Sequence, residues 1–251
     1  MINATIMIPT YNERESIEKI LVGISELYIP GVTIEVLVID DNSPDLTADF
    51  VESLKLKFVK VLRRERKDGL GRAYLEAIQH LLAHSNSSHL VSMDADGSHR
   101  VADLEKLLIA ARDNENAALV LGSRWIKGGS IINWPKYRIL LSRAGTSYAK
   151  FALKLKISDL TGGFKVYPRW ALKRIELEKI TSNGYCFQIE MAHAFSQLNA
   201  PVIEIPITFV ERELGASKMS QRIVLEAITQ VTRWGLRLRL NPTADKLHYV
   251  K

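Results

Sequence analysis

Short apolar runs alternate with amphipathic segments through the first half of the chain. Residues 4–9 (ATIMIP), 56–62 (LKFVKVL), 89–94 (HLVSMD) and 118–123 (ALVLGS) read as strands, and 33–40 (TIEVLVID) is β-branched and nearly continuous in apolar character. Strands buried on both faces of a parallel sheet read this way. Between them, residues 12–27 carry Ile17, Ile20, Leu21 and Ile24 at helical spacing, with Asn12 and Glu15 placed as a cap pair. Residues 45–54, 71–83 and 101–112 read as further helices. A repeating β-α order of this kind predicts a doubly wound, mostly parallel sheet with right-handed crossovers. Ligands of such sheets bind beyond the carboxyl ends of the strands, which here carry Asp40, Asp41, Asp94 and Asp96.

The second half is less regular. Residues 135–155 read as a helix with aromatic and basic positions, 162–167 as a turn leading into a strand, and 187–198 as a helix. Residues 201–211 read as a strand that Pro206 interrupts and so assigns to a sheet edge. From 219 to 240, Val224, Ala227, Ile228, Val231, Trp234 and Leu238 form one helical stripe flanked by Arg222, Gln230, Arg233 and Arg237. The pattern divides the chain into residues 1–218, the main α/β domain, and residues 219–251, an amphipathic helix and tail.

Composition narrows the class. The 251 residues are 47% hydrophobic and 25% charged, enough for a sizeable core. A single cysteine, Cys186, excludes an internal disulfide framework and a cysteine-rich zinc site, and makes a reducing, cytoplasmic setting the default expectation. No run of about 18 apolar residues occurs, and the first residues lack the layout of a secretory signal.

The net charge of +6 is unevenly placed: no acidic residue occurs from Asn116 through Ser158, where Arg124, Lys127, Lys136, Arg138, Arg143, Lys150, Lys154 and Lys156 fall. Such a zone points to an anionic partner (phosphate groups, a lipid surface or nucleic acid) or to a solvated basic face.

Asp94 and Asp96 stand at i and i+2, so extended backbone sends both carboxylates to one side. Two anions that close are tolerated in a solvated turn, when one keeps its proton, or when a divalent cation lies between them and an anionic ligand. The chain has neither a G-x-G-x-x-G after its first strand nor a G-x-x-x-x-G-K-[ST], so neither familiar phosphate cradle is present.

The segments PTYNE (9–13), VIDDNSPD (38–45), GLGRAY (69–74), DADGSH (94–99), GSRW (122–125) with a following GG, TGGFKVY (161–167), FQIE (187–190) and ER-x-x-G-x-SK (211–218) together resemble the family 2 glycosyltransferases of GT-A fold. Within that family they are most similar to dolichol- or polyprenol-phosphate mannose synthases, over residues 3 to 220.

The resemblance implies inverting transfer of mannose from GDP-mannose to a polyprenyl monophosphate, with Mg²⁺ or Mn²⁺ as cofactor. Asp94 and Asp96 match the DxD that holds the metal; Ser98 stands where some relatives place a metal-contacting glutamine, which leaves its ligand role open. Pro9, Tyr11, Glu13, Ile39 and Asp41 match donor-nucleoside positions, and Ala95, within the DxD, counts with Asp94 and Asp96 among the donor-binding residues. Arg124, Arg138 and Ser142 match an acceptor-phosphate clamp, and Arg212 and Lys218 match basic residues that reach the donor diphosphate from a loop. Gln188 and Glu190 are placed to orient the sugar, to support that loop, or to form a polar helix face.

Some relatives carry C-terminal transmembrane helices, and this chain ends at Lys251 without one. A basic amphipathic helix with a tryptophan suits a bilayer interface. The expectation is therefore peripheral association with the cytoplasmic face of a membrane, with room for a separate anchoring protein. The competing readings are a UDP-glucose-dependent transferase with the same acceptor, a transferase acting on a sugar hydroxyl, and a nucleic-acid-binding domain. The hydroxyl reading requires a general base that the motifs do not supply, because a lipid monophosphate is already anionic whereas a hydroxyl must lose a proton. The nucleic-acid reading lacks the aromatics of an RNA-binding sheet.

Overall fold

The computed structural model describes residues 1–211, 221–240 and 248–251, apart from the side chains of Tyr185 and of residues 221–224. Nine strands and eight α-helices occur among them: β1 (Ile2–Thr10), α1 (Arg14–Ser25), β2 (Val32–Asp40), α2 (Thr47–Ser53), β3 (Val59–Arg63), α3 (Leu70–His84), β4 (His89–Ser92), α4 (Val101–Asp113), β5 (Leu119–Ser123), β6 (Ser130–Ile132), α5 (Lys136–Leu153), β7 (Lys165–Pro168), α6 (Arg169–Arg174), α7 (Gly184–Ser196), β8 (Val202–Pro206), β9 (Thr208–Val210) and α8 (Gln221–Leu240).

Seven strands form one sheet in the order β3-β2-β1-β4-β7-β5-β8. All neighbours are parallel except β7, which runs antiparallel between β4 and β5. The predicted mostly parallel sheet flanked by helices is therefore present, with one reversed strand that the β-α rhythm did not foresee.

The apolar runs bury both faces. Ile6, Ile8, Val36 and Val38 pack with Ile17, Leu21, Leu104 and Leu108 on the side of α1 and α4. On the other side, Met7, Leu37 and Leu90 pack with Ala73, Ile78, Phe187 and Phe195 of α3 and α7. Burying these side chains on both faces is what drives the fold, at roughly 25 cal/mol per Å² of apolar surface.

Three local outcomes correct or refine the reading by pattern. Asn12 and Glu15 form no cap, because Asn12 adopts a left-handed conformation with φ of 60°. The exposed N–H groups at the start of α1 are met instead from the β2–α2 connection: Glu13 N–H donates to Thr47 Oγ1 at 3.1 Å and Arg14 N–H to Asp45 Oδ2 at 3.2 Å. Pro206 ends β8, the edge strand, and β9 beyond it pairs with β6 in a separate two-stranded parallel sheet. Finally, α8 packs on α5 and α7, burying Val231 and Trp234 but leaving Leu225, Ile228, Leu236 and Leu240 of the same helix exposed.

Candidate active site

The carboxyl ends of β1, β2 and β4 open into a cleft of about 350 Å³. From the end of β1 and the turn after it come Pro9, Tyr11 and Glu13, from just past β2 Asp41, and from beyond the end of β4 Asp94, Ala95, Asp96 and Ser98. Arg138 reaches it from the first turn of α5, and Thr161, Gly163 and Gln188 line it from the β7 side.

Asp40 and Asp41 are neighbours and so point oppositely. Asp40 turns inward and accepts hydrogen bonds from the Thr10 hydroxyl at 3.0 Å, the Ser43 hydroxyl at 2.6 Å and Ser43 N–H at 2.9 Å, knitting the ends of β1 and β2 together. Asp41 faces the cleft, paired with Arg64. Burial pushes the Asp41 carboxyl up, outweighing the opposite pull of Arg64. The side chain of Ile39, expected among the donor contacts, packs instead in the core with Met7, Leu37 and Ala73. That placement follows from strand alternation: Ile39 and Leu37 share one face of β2. Tyr11 lies under the Lys67 ammonium, which stands 3.7 Å from its ring centre, a cation–π contact that fixes the ring at the mouth of the cleft.

The two aspartates are held by their own loop. Asp94 N–H donates to His99 Nδ1 at 3.0 Å, and Ser98 N–H donates to Asp96 Oδ1 at 3.1 Å. His99 is buried and stacked on Phe164, with ring centres 4.5 Å apart. Burial pushes its pKa down despite the nearby Asp94, so the ring is neutral. With Nδ1 accepting, the proton sits on Nε2, which lies 3.8 Å from Asp94 Oδ2.

Ser98 is 1% exposed, and its hydroxyl oxygen has no hydrogen-bond partner. Two carboxylates and an orphan hydroxyl form an all-oxygen donor set, which suits a hard divalent cation such as Mg²⁺ or Mn²⁺. Among the described residues no group of three His, Cys, Asp or Glu side chains could cage a metal. The set therefore fits an ion completed by phosphate oxygens and water rather than a closed protein site.

The basic side of the cleft differs from a simple clamp. Arg124 is 5% exposed and lies against Asp159, itself fully buried. Its Nε and NH2 donate to the two Asp159 oxygens at 2.7 Å each, its backbone N–H to Oδ2 at 3.0 Å, and NH2 again to Thr161 Oγ1 at 2.8 Å. Arg124 thus stands behind the cleft wall and not among the residues that line it. The motif placed it among acceptor contacts, but its guanidinium is taken by the first acidic residue after the acid-free zone. Burial works to raise the Asp159 carboxyl; Arg124 and these hydrogen bonds prevail and leave it below the usual carboxylate range.

Arg138 does line the cleft, 8% exposed. Its NH1 donates to both oxygens of Glu211 at 2.5 Å, its guanidinium lies 4.0 Å from the Trp134 ring centre, and its Nε has no partner. Ser142, one turn on, shares a hydrogen bond of 3.3 Å with Thr161 and sits at the edge of this group. Arg212 and Lys218 lie outside the described residues. Glu190 turns from the cleft: its carboxylate accepts the N–H groups of Thr181 and Ser182 and the Tyr249 hydroxyl.

Reasoning from motifs missed Lys67, Thr161, Gly163, Phe209 and Glu211 as cleft residues, and Asp159 as the partner of Arg124. Thr161 and Gly163 lay within a quoted motif, so their presence at a turn was a usable signal. Glu211 opens the quoted ER-x-x-G-x-SK segment, whose pattern gave no signal for its pairing with Arg138.

Residues 5–176 match the family described as glycosyl transferase family 2. An undecaprenyl-phosphate mannosyltransferase of Micrococcus luteus is 45% identical over 235 residues, covering 93% of this chain and 94% of the relative. A polyprenol monophosphomannose synthase of Mycolicibacterium smegmatis is 43% identical over 239 residues, covering 94% and 88%. Glucosyl-3-phosphoglycerate synthase from Mycobacterium tuberculosis, solved with Mn²⁺, UDP and phosphoglyceric acid, superposes with a TM-score of 0.66 at 19% identity, covering 96% of this chain and 79% of that one. The same protein was also solved with Mg²⁺ and UDP.

Proposed function

The chain belongs to glycosyl transferase family 2, and from that premise we propose that it transfers mannose from GDP-mannose to a polyprenyl monophosphate, releasing GDP and forming the β-linked lipid phosphosugar. The observation that carries the reading is that one cleft holds both a paired-carboxylate set, Asp94 and Asp96, and a buried arginine, Arg138, with a donor to spare. Carboxylates alone would repel every phosphorylated molecule. Joined with a cation and an opposing arginine, they suit two phosphorylated reactants at once.

In this reading Pro9, Tyr11, Glu13 and Asp41 line the pocket for the nucleoside. Asp94 and Asp96, with Ser98 through its hydroxyl or a water, would hold Mg²⁺ or Mn²⁺, which neutralises charge on the leaving diphosphate. Arg212 and Lys218 complete the charge around it. The acceptor needs no general base: a phosphate monoester is an anion at neutral pH and requires positioning. Arg138 Nε and the Ser142 hydroxyl supply that positioning, while Arg124 acts through Thr161, which its NH2 and Ser142 both contact. A phosphate oxygen then attacks the anomeric carbon from the face opposite the diphosphate, and the C–O bond to GDP breaks with inversion.

The acceptor reading also places the enzyme at a lipid surface. No helix among the described residues is long and apolar enough to cross a membrane. Tyr137, Leu140 and Phe151 of α5 and Leu225, Leu236 and Leu240 of α8 are exposed on two helices that pack together. Arg233 and Arg237 are exposed beside them. Apolar side chains interleaved with cations fit the headgroup region of an anionic bilayer, which supports peripheral association at the cytoplasmic face.

The test mixes the protein, Mg²⁺, labelled GDP-mannose and polyprenyl phosphate. Label is expected in the organic phase, dependent on both metal and lipid phosphate. Transfer from UDP-glucose and not from GDP-mannose would overturn the donor assignment, and transfer to a lipid alcohol without phosphate would overturn the acceptor.

A further inference from the structure

Under the cleft, Lys165 and Gln188 form a buried polar pair that none of the steps above uses. Lys165 opens β7 with no solvent exposure. An ammonium so placed needs acceptors, and it takes two from one residue of α7: the Gln188 main-chain oxygen at 3.1 Å and the side-chain Oε1 at 2.5 Å. Burial pushes the Lys165 pKa down to about 7, with Asp159 pulling the other way.

The pairing dictates how the Gln188 amide is turned. A protonated lysine has only N–H donors, so the amide must offer it oxygen. Nε2 then points the other way, toward the cleft that Gln188 lines. It has no hydrogen-bond partner, in a residue 3% exposed. Buried N–H groups are rarely left so, and a ligand oxygen is the missing partner.

The surroundings indicate which oxygen. A methyl group placed on Gly163 would lie 3.4 Å from Gln188 Nε2 and 3.7 Å from Asp94 Oδ2. Glycine at this position therefore keeps open a space that the amide and the metal-side carboxylate share. The loop from Thr161 to Gly163 runs from the Arg124 and Ser142 contacts to this space. The charged ends of both reactants already have charged partners. A neutral amide donor between them suits the neutral portion, the sugar. Resting on the mannosyl-transfer reading, we propose that Gln188 is a specificity-determining residue whose Nε2–H donates to a hydroxyl oxygen of the transferred sugar, and that Lys165 is the positioning residue that turns the amide toward it.

The experiment compares binding of GDP-mannose and GDP, with Mn²⁺, by calorimetry at about pH 6, below the Lys165 pKa of about 7, so that most of the ammonium is kept. It uses the full chain and two variants. Gln188→Glu keeps an acceptor for Lys165 and exchanges the amide NH₂ for oxygen; Gln188→Met removes the donor without adding charge. The ratio of the two affinities cancels whatever either variant does to diphosphate binding. It is expected to fall about tenfold in both variants, the worth of one hydrogen bond.

Among GDP-mannose analogues lacking one sugar hydroxyl each, one should bind the full chain about tenfold more weakly and show no such loss in the variants. An unchanged ratio in both variants overturns the proposal, as does a fall confined to Gln188→Glu, which would trace to its charge. If the full chain binds UDP-glucose and not GDP-mannose, the donor reading fails, and the ratio of UDP-glucose to UDP decides the role of Gln188 separately.

Discussion

Replacing Arg124 with methionine separates two accounts of one position in the GSRW segment. The structure places its guanidinium in a two-pronged contact with Asp159, both groups buried, with 2.7 Å on each prong. Arg124→Met leaves the Asp159 carboxylate in the interior with only hydrogen bonds from the Arg124 backbone and Thr161. Removing one member of a buried pair costs about 3–5 kcal/mol, and 3 to 5 kcal/mol is roughly two to four decades in the folding constant. Against a typical stability of about 5–15 kcal/mol this is a large fraction.

Urea unfolding followed by circular dichroism reads it as a lowered midpoint. Asp159→Asn added to Arg124→Met keeps an acceptor for the Arg124 N–H at 3.0 Å while removing the stranded charge, and is expected to restore most of the loss. Arg124→Lys should fall between, because an ammonium cannot reproduce the fork. Suppose Arg124→Met left the midpoint unchanged and instead raised the KM for polyprenyl phosphate many-fold. The guanidinium would then serve the ligand and not Asp159, and the reasoning from the buried pair would be refuted.

Three further outcomes are expected. Asp96→Ala should abolish transfer and remove the Mn²⁺-dependent part of nucleotide binding, with an unaltered circular dichroism spectrum; metal-dependent binding that persisted would remove Asp96 from the ligand set. Lys165 binds its proton more weakly when folded, with a pKa of about 7, than when unfolded at about 10.4. The unfolded chain therefore holds more protons between those values, and stability should rise as pH climbs from 7 toward 10. Lys165→Met should flatten that rise in urea midpoints measured at successive pH values, and parallel profiles for the two proteins would contradict it. Phe151→Asp with Leu140→Glu should reduce sedimentation with anionic vesicles at low salt by at least tenfold, leaving transfer to a detergent-dispersed short-chain acceptor intact. Equal binding would show that the exposed face of α5 does not meet the bilayer.

The elements legible in advance were those whose signal is local. Residues 4–9 and 33–40 announce strands because burial on both faces demands an unbroken apolar run, and β1 and β2 occupy those positions. The reversed β7 was not legible. Four residues, KVYP, carry no mark of direction; that is fixed by pairing with β4 and β5, many residues away. The cap of α1 failed for the same reason, since its partners Thr47 and Asp45 come from a different connection.

Within the site, spacing alone brought Asp94 and Asp96 to one cleft, and alternation would have separated Asp40 from Asp41 and turned Ile39 into the core. Arg124 was placed in the clamp by its motif, and a motif match says nothing of which cations already have a carboxylate 35 residues on.

Because β7 enters the sheet where its neighbours leave it, the loop before it is fixed at both ends to within one residue. Phe164 and Val166 face the core beneath α4, whereas Tyr167 and the lysine side chain between them face α7. Inserting or deleting a single residue ahead of this strand would exchange the two sets, pushing an ammonium into the aliphatic layer and a valine against a glutamine. Length variation in this protein is thus forbidden at a place where most proteins, having only a surface turn there, would accept it.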